Sequence, residues 1–252
     1  MGELSVTETI EDFATRLIAG HDGGALIDSV PEHLIPADMA GVYALQDAVI
    51  AQLGAVGGWK ILAGGTGEPV CAPIPANRYF ADGASISSTH HRFVLAEVEI
   101  AVKLGRDLPA NADAAMVEAV IASVHPILEM VGSPFVDRDA IAANAKLGDL
   151  QSNGAVIVGP ELDPAMRSQL STLAVSLVLD GTAAKSTASG ASWADIISAV
   201  AWLSGHAAGR GLPLQAGQII ITGARVVGPH LTAATIEGRA GDWGTVTAHM
   251  TY

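Results

Sequence analysis

Two glutamates, Glu97 and Glu99, stand two residues apart in Leu95-Ala-Glu-Val-Glu-Ile-Ala-Val-Lys-Leu104, a run that alternates with the period of a β-strand. Val94, Ala96, Val98, Ile100, Val102 and Leu104 fall on one face, which is purely apolar and reads as core. Leu95, Glu97, Glu99, Ala101 and Lys103 fall on the other. Carboxylates that close repel and raise each other's pKa unless a cation lies between them. A hard divalent ion is one such cation, because Mg²⁺ and Mn²⁺ prefer carboxylate oxygen. The alternative is a strand face of solvated glutamates. Downstream, His125-Pro-Ile-Leu-Glu-Met-Val131 is an apolar strand with one carboxylate, Glu129. A buried carboxylate needs a partner, a proton or a metal, so Glu129 is the third oxygen donor that the pair requires. Lys60, flanked by Trp59, Ile61 and Leu62, is either a strand-end surface residue or a cleft lysine with a tuned pKa. Asp82 and the pair His90-His91 follow; adjacent histidines on a strand point to opposite faces and do not readily share a metal.

The elements that must position these groups are legible from spacing and punctuation. Ser5-Val-Thr-Glu8 fits a capping box, and Ile10, Phe13, Ala14, Leu17 and Ile18 follow at helical spacing. A second helix opens near Pro36-Ala37-Asp38, carries Met39, Val42, Leu45, Val49 and Leu53 as its stripe, and stops at Gly54. Residues 1–55 therefore read as a helical lead-in and residues 56–252 as a strand-dominated unit. The Gly-rich loop at 63–69 is not followed by Gly-Lys-Ser/Thr, so it is no phosphate loop, and no Gly-x-Gly-x-x-Gly turn supports a dinucleotide fold. Pro126 is expected to end a helix running through Met116, Val117, Val120, Ile121 and Val124. A helical turn is expected over 139–144, and polar residues 147–154 lead into a strand at 155–158. A hairpin turns at Asp180-Gly181, Ser192 caps a helix over 193–209, and strands are expected at 218–222 and 245–250. The class is α+β and β-rich.

Composition bounds the function. Half of the 252 residues are hydrophobic, ample for a large core, yet no apolar run approaches a membrane span. A formal charge of −13 argues against nucleic acid as a partner. The N-terminus lacks the basic and apolar regions of a signal peptide, and the single cysteine, Cys71, excludes an internal disulfide; both agree with a cytoplasmic location.

Several ordered blocks carry a resemblance. They are Gly58-Trp-Lys-Ile, Glu97-Val-Glu-Ile-Ala with Leu104-Gly-Arg-Asp-Leu-Pro109, His125-Pro-Ile-Leu-Glu129, and Gln151-Ser-Asn-Gly154; further on come Ala201-Trp-Leu203 and Leu214-Gln-Ala-Gly with Ile219-Ile-Ile-Thr-Gly223. With these blocks the chain resembles the fumarylacetoacetate hydrolase superfamily, in particular its 2-keto-4-pentenoate hydratase and 4-oxalocrotonate decarboxylase branch. The resemblance implies a mixed β-roll behind a small helical lead-in, and Mg²⁺ or Mn²⁺ held by Glu97, Glu99 and Glu129. It implies Lys60 and Asp82 as the acid/base groups, with Ser152, Thr222 and Gly223 near the substrate. The implied reaction is hydration of a 2-hydroxy-2,4-dienoate in aromatic catabolism. Arg225, placed where many hydratases carry an apolar residue, points to the alternative of a dicarboxylic substrate, hydrated or decarboxylated. A C–C bond hydrolase and a non-catalytic partner subunit are further alternatives. A homo-oligomer and a hydratase–decarboxylase complex are the partners the resemblance implies.

Overall fold

Period-two alternation places β5 (Phe93–Leu104) at the centre of the structure, a computed structural model that describes residues 8–88 and 92–252. The side chains of Ala96, Val98, Ile100, Val102 and Leu104 are buried in the main core, as the pattern predicts. Along its whole length β5 pairs antiparallel with β6 (Ile121–Gly132), and the register sets Glu97 directly opposite Glu129. The other strands extend this pair into two sheets. β1 (Val56–Ile61), β2 (Cys71–Pro75), β3 (Tyr79–Ala81), β7 (Asn153–Val158) and β10 (Ile219–Ile221) complete the larger one, ordered β2-β1-β10-β5-β6-β7-β3, while β11 (Val226–Val227) also pairs with β5. The smaller sheet is built from β4 (Ala84–Ser87), β8 (Val175–Leu179), β9 (Thr182–Thr187), β12 (Thr235–Ala240) and β13 (Gly244–Thr251), in the order β4-β13-β12-β8-β9. Gly238 lets β12 lie against the large sheet, since a Cβ there would come within 3.0 Å of Val98 and 3.1 Å of Leu128.

Helices flank the sheets, and their ends follow capping chemistry. α1 (Ile10–His21) and α2 (Met39–Leu53) form the helical lead-in; Asp38 caps α2, and Gly54 at φ 91° ends it, as expected. The box that caps α1 is Thr9 with Asp12. Ser5, expected to start that helix, and the pair His90-His91 lie outside the described residues. Phe13, Leu17, Leu45 and Val49 pack with Phe135 and Leu150, so the lead-in rests on the turns that follow β6 and precede β7. α5 (Trp193–Gly209) has the expected bounds and opens on a Ser192/Asp195 capping box. α4 (Ala143–Gly148) begins later than the turn expected at 139–144.

One expectation is overturned outright. Helix α3 (Ala114–Val120) ends six residues before Pro126, and residues 121–124 already belong to β6. Pro126 sits inside the strand because its missing N–H costs nothing there. Its partner Ile100 turns its carbonyl away, toward the Thr222 N–H, and the Pro126 carbonyl accepts from Gly159 just past the end of β7. The architecture is thus α+β, two curled sheets with few helices, and none of the described helices is long and apolar enough to cross a membrane.

Candidate metal centre

The face of the large sheet opposite the main core is divided. Ile74, Ala101, Ile127, Val156 and Ile221 make a small apolar cluster on one part of it, and Glu97, Glu99 and Glu129 occupy the next. One oxygen from each carboxylate lies within 4.8 Å of the others. Glu99 and Glu129 are buried and Glu97 is half-buried. The Lys60 ammonium, coming from β1 across the curl of the sheet, donates to both oxygens of Glu129 at 2.6 and 2.8 Å and to the Gln151 carbonyl at 3.3 Å. Asn153 Nδ2 donates to Glu129 Oε1 at 2.8 Å, and the Gly223 N–H donates to Glu99 Oε2 at 2.7 Å. A cavity of about 280 Å³ opens over these groups, lined among others by Lys60, Leu62, Glu97, Glu99 and Gln151.

The electrostatics test whether a divalent ion fits. Burial, then the Glu129 charge, pushes the Glu97 carboxyl from the ordinary 4.5 up to about 7, although Lys60 and Arg138 pull it back. Burial, Glu129 and Glu97 hold Glu99 well above the carboxylate range. For Lys60 burial alone lowers the pKa, but the three carboxylates outweigh it and raise the ammonium above its ordinary value. Three carboxylates and one ammonium leave a local charge of −2, which a hard divalent cation balances with the oxygen ligands it prefers. The donor set fits Mg²⁺ or Mn²⁺.

A pH dependence follows from the Glu97 shift. In EDTA the folded protein holds a proton on Glu97 that the unfolded chain releases near 4.5, so the folded state binds more protons between about 4.5 and about 7. Stability contributed by that proton is complete below this window and is lost as the pH rises through it. Metal binding needs the carboxylates free of protons, so the stabilisation by Mg²⁺ should grow over the same window. Melting temperatures measured from pH 5 to 8 in EDTA and in Mg²⁺ should therefore diverge. Parallel curves would contradict the assignment.

The segment that delivers Gln151 and Asn153 is strained. Leu150, Gln151 and Ser152 have φ of 45°, 55° and 59°, a left-handed turn of three non-glycine residues at a cost of roughly 1–2 kcal/mol each. It is held closed by the Ser152 N–H on the Asp149 carbonyl at 2.7 Å. The buried His21 Nε2 meets both Asp149 carboxylate oxygens, at 3.0 and 3.1 Å, and pins the turn to the lead-in. The turn aims the Gln151 carbonyl at Lys60 and leaves the Gln151 side-chain nitrogen buried without a partner.

The other expected site residues are distributed unevenly. Gly223 lines the cavity and holds Glu99. The Thr222 hydroxyl is turned into the sheet, onto the Ile100 carbonyl at 2.7 Å. Ser152 is buried, its hydroxyl 3.4 Å from Arg138 Nη2. Arg225 is half-buried, and its two terminal nitrogens are spent on the carbonyls of Leu170 and Ala191, at 2.6 and 2.7 Å; it acts as a clamp between loops. Asp82 is not brought to the centre. It is exposed on the turn between β3 and β4, where Oδ1 accepts the Thr247 N–H at 2.7 Å and ties that turn to the smaller sheet. Gln151, Asn153 and Arg138 were not foreseen individually; the polar run at 147–154 was the one signal for the first two.

The model of the fumarylacetoacetate (FAA) hydrolase C-terminal family matches residues 30–249. A 4-oxalocrotonate decarboxylase of Pseudomonas sp is 26% identical over 170 residues, 66% of this chain and 63% of that protein. REH2-associated factor 2 of Trypanosoma brucei brucei (strain 927/4 GUTat10.1) is 37% identical over 83 residues, 32% of this chain and 30% of that protein. The chain thus spans less than two thirds of the length of either relative. Among solved structures, the 4-oxalocrotonate decarboxylase from Pseudomonas putida G7, complexed with magnesium and adipate, superposes with a TM-score of 0.81 at 21% identity, covering 98% of this chain and 99% of that one.

Proposed function

Since the chain belongs to the fumarylacetoacetate hydrolase family, we propose that it is a divalent-metal-dependent lyase of 2-oxo dienoate acids, and that decarboxylation of a 2-oxo-hexenedioate is its reaction. Glu97, Glu99 and Glu129 would hold Mg²⁺ or Mn²⁺. When bound, such an ion supplies Lewis acidity toward the C1 carboxylate and C2 oxygen of a 2-oxo acid. The observation that carries the reading is that Lys60 reaches the carboxylates while Asp82 lies on a distant turn. Hydration needs a proton delivered to C5 and another taken from the water that adds at C4, hence two proton-handling groups. Decarboxylation breaks C5–C6 with a single proton transfer, to the C2 oxygen, and so needs one such group. The electron pair of that bond moves into C4=C5, the C3=C4 pair into C2=C3, and the C2 oxygen takes the charge and then one proton, for which Lys60 is the donor. CO₂ leaves. The decarboxylase of Pseudomonas putida G7, which shares the fold, has magnesium and adipate bound, and adipate is a six-carbon dicarboxylate.

Hydration is the second reading, favoured by the unpartnered amide of Gln151, a donor able to hold a water at the cavity wall. A homo-oligomer and a complex with a hydratase belong to the same proposal. One assay decides. 2-Oxo-3-hexenedioate and 2-hydroxypenta-2,4-dienoate are each offered with Mg²⁺ and with EDTA, following absorbance and CO₂. CO₂ release from the first, abolished by EDTA, is expected. Loss of the dienoate without CO₂ would transfer the assignment to hydration, and no change with either would leave a non-catalytic subunit.

A further inference from the structure

Beside the carboxylate cavity lies a second one of about 310 Å³, lined among others by Arg92, Leu95, Phe135, Arg138 and His230. Both are lined in part by residues of β5. Leu95 lines the second cavity, and Glu97, two residues on and pointing the same way, lines the first. Two residues of strand span about 6–7 Å, comparable with the distance between the carboxyl groups of an extended six-carbon dicarboxylate. The Arg138–Ser152 contact ties the wall of the second cavity to the strained turn whose Gln151 lines the first.

Arg138 lines this cavity and, like most basic residues among those described, makes no ion pair. Its Nε is buried without a partner, and the Ser152 hydroxyl at 3.4 Å is a long, weak acceptor for Nη2. Arg92 is placed likewise, with Nη1 on the Phe135 carbonyl at 2.9 Å. Asp137 and Asp139 at the rim are exposed, and Asp137 Oδ1 is already taken by the N–H groups of Asp139 and Ala140. A guanidinium cannot shed its charge when partly desolvated, and its planar fork matches a carboxylate. We propose that Arg138, with Arg92 beside it, is the specificity-determining residue that binds the distal carboxylate of a dicarboxylate substrate. This rests on the reading of the centre as a 2-oxo acid site, and it gives Arg138 the part that sequence position suggested for Arg225.

Because the distal carboxylate loses its charge as CO₂ departs, this contact is stronger in the bound substrate than in the transition state. Its loss raises KM and leaves kcat unchanged or higher. The test uses Mg²⁺-loaded protein and calorimetric titration with two unreactive analogues, 2-oxoadipate and 2-oxohexanoate. Wild type should prefer 2-oxoadipate. At saturating Mg²⁺ the affinity of Arg138→Leu for 2-oxoadipate should fall about 10- to 100-fold, with 2-oxohexanoate binding unchanged. Arg138→Lys and Arg92→Gln, which preserve a charge or lie at the surface, should give smaller losses in the same sense and carry the test if the leucine variant does not fold. Equal losses for both analogues, or none for 2-oxoadipate, overturn the inference. Selective loss in a protein that releases no CO₂ from 2-oxo-3-hexenedioate would leave the inference standing and refute the proposed reaction. Turnover with an unaltered dicarboxylate preference in Arg138→Leu would do the reverse.

Discussion

Replacing Lys60 by methionine is expected to lower turnover by about 10²- to 10⁴-fold, the range typical of a removed general acid. The effect should be on kcat, because the ammonium is the cation lining the cavity and its longest bond, to the Gln151 carbonyl at 3.3 Å, is the one a C2 oxygen would replace. The same change removes the one positive charge that faces three carboxylates. In EDTA the variant should melt lower than wild type, since Glu97, Glu99 and Glu129 then lose the cation that offsets their repulsion most directly and Glu129 loses two hydrogen bonds. A divalent ion restores that charge balance, so the rise in melting temperature on adding Mg²⁺ should be larger in the variant than in wild type. This crossing separates a chemical role from a structural one: the metal recovers stability and does not recover rate. Lys60→Arg should not rescue either, because a branched planar group replaces a compact point charge held at 2.6 Å from a buried carboxylate. If Lys60→Met retained turnover within a few-fold of wild type, the lysine would only balance charge.

The carboxylate strand was legible because two signals coincided in it, strict alternation and two charges on the non-core face. Its register against β6 was not, since pairing over more than twenty residues of separation leaves no local trace; the opposition of Glu97 and Glu129 is a product of the fold. The Lys60–Glu129 pair, 69 residues apart, came within reach only through the family resemblance. Pro126 misled because a proline ends helices far more often than it sits in a strand, and only the sheet shows that its absent N–H meets no acceptor. The left-handed turn at 150–152 had no signal at all. Leucine, glutamine and serine do not favour positive φ, so its conformation is imposed by Asp149, His21 and the packing of Leu150. Asp82 and Arg225 each have a residue type suited to the chemistry, and each has main-chain partners in the fold, Asp82 on an exposed turn and Arg225 at the wall of a cavity that Thr222 and Gly223 also line. Arg138 was passed over for a related reason: in Asp137-Arg138-Asp139 it reads as solvated surface, and its contact with the strained turn is a product of the fold.

Glu129→Gln should do the greatest damage of any single change at the centre. Glu129 is fully buried and accepts from Lys60 twice and from Asn153 once. Glutamine keeps the shape but strands the Lys60 ammonium, 12% exposed, in the field of the remaining pair. Breaking a buried ion pair from one side costs about 3–5 kcal/mol, to be read from urea unfolding in EDTA. The Mg²⁺-dependent rise in melting temperature should vanish with it, since a neutral amide is a poorer ligand and only two carboxylates remain. Adding Lys60→Met to Glu129→Gln should return much of the lost stability, because the double variant has no unpaired ammonium. It should return none of the metal response. The cycle therefore separates two duties of one carboxylate, holding the lysine and holding the ion, and their independence is what a metal centre requires. Recovery of the metal response together with stability in the double variant would mean that Glu129 holds the lysine and is not a ligand of the ion.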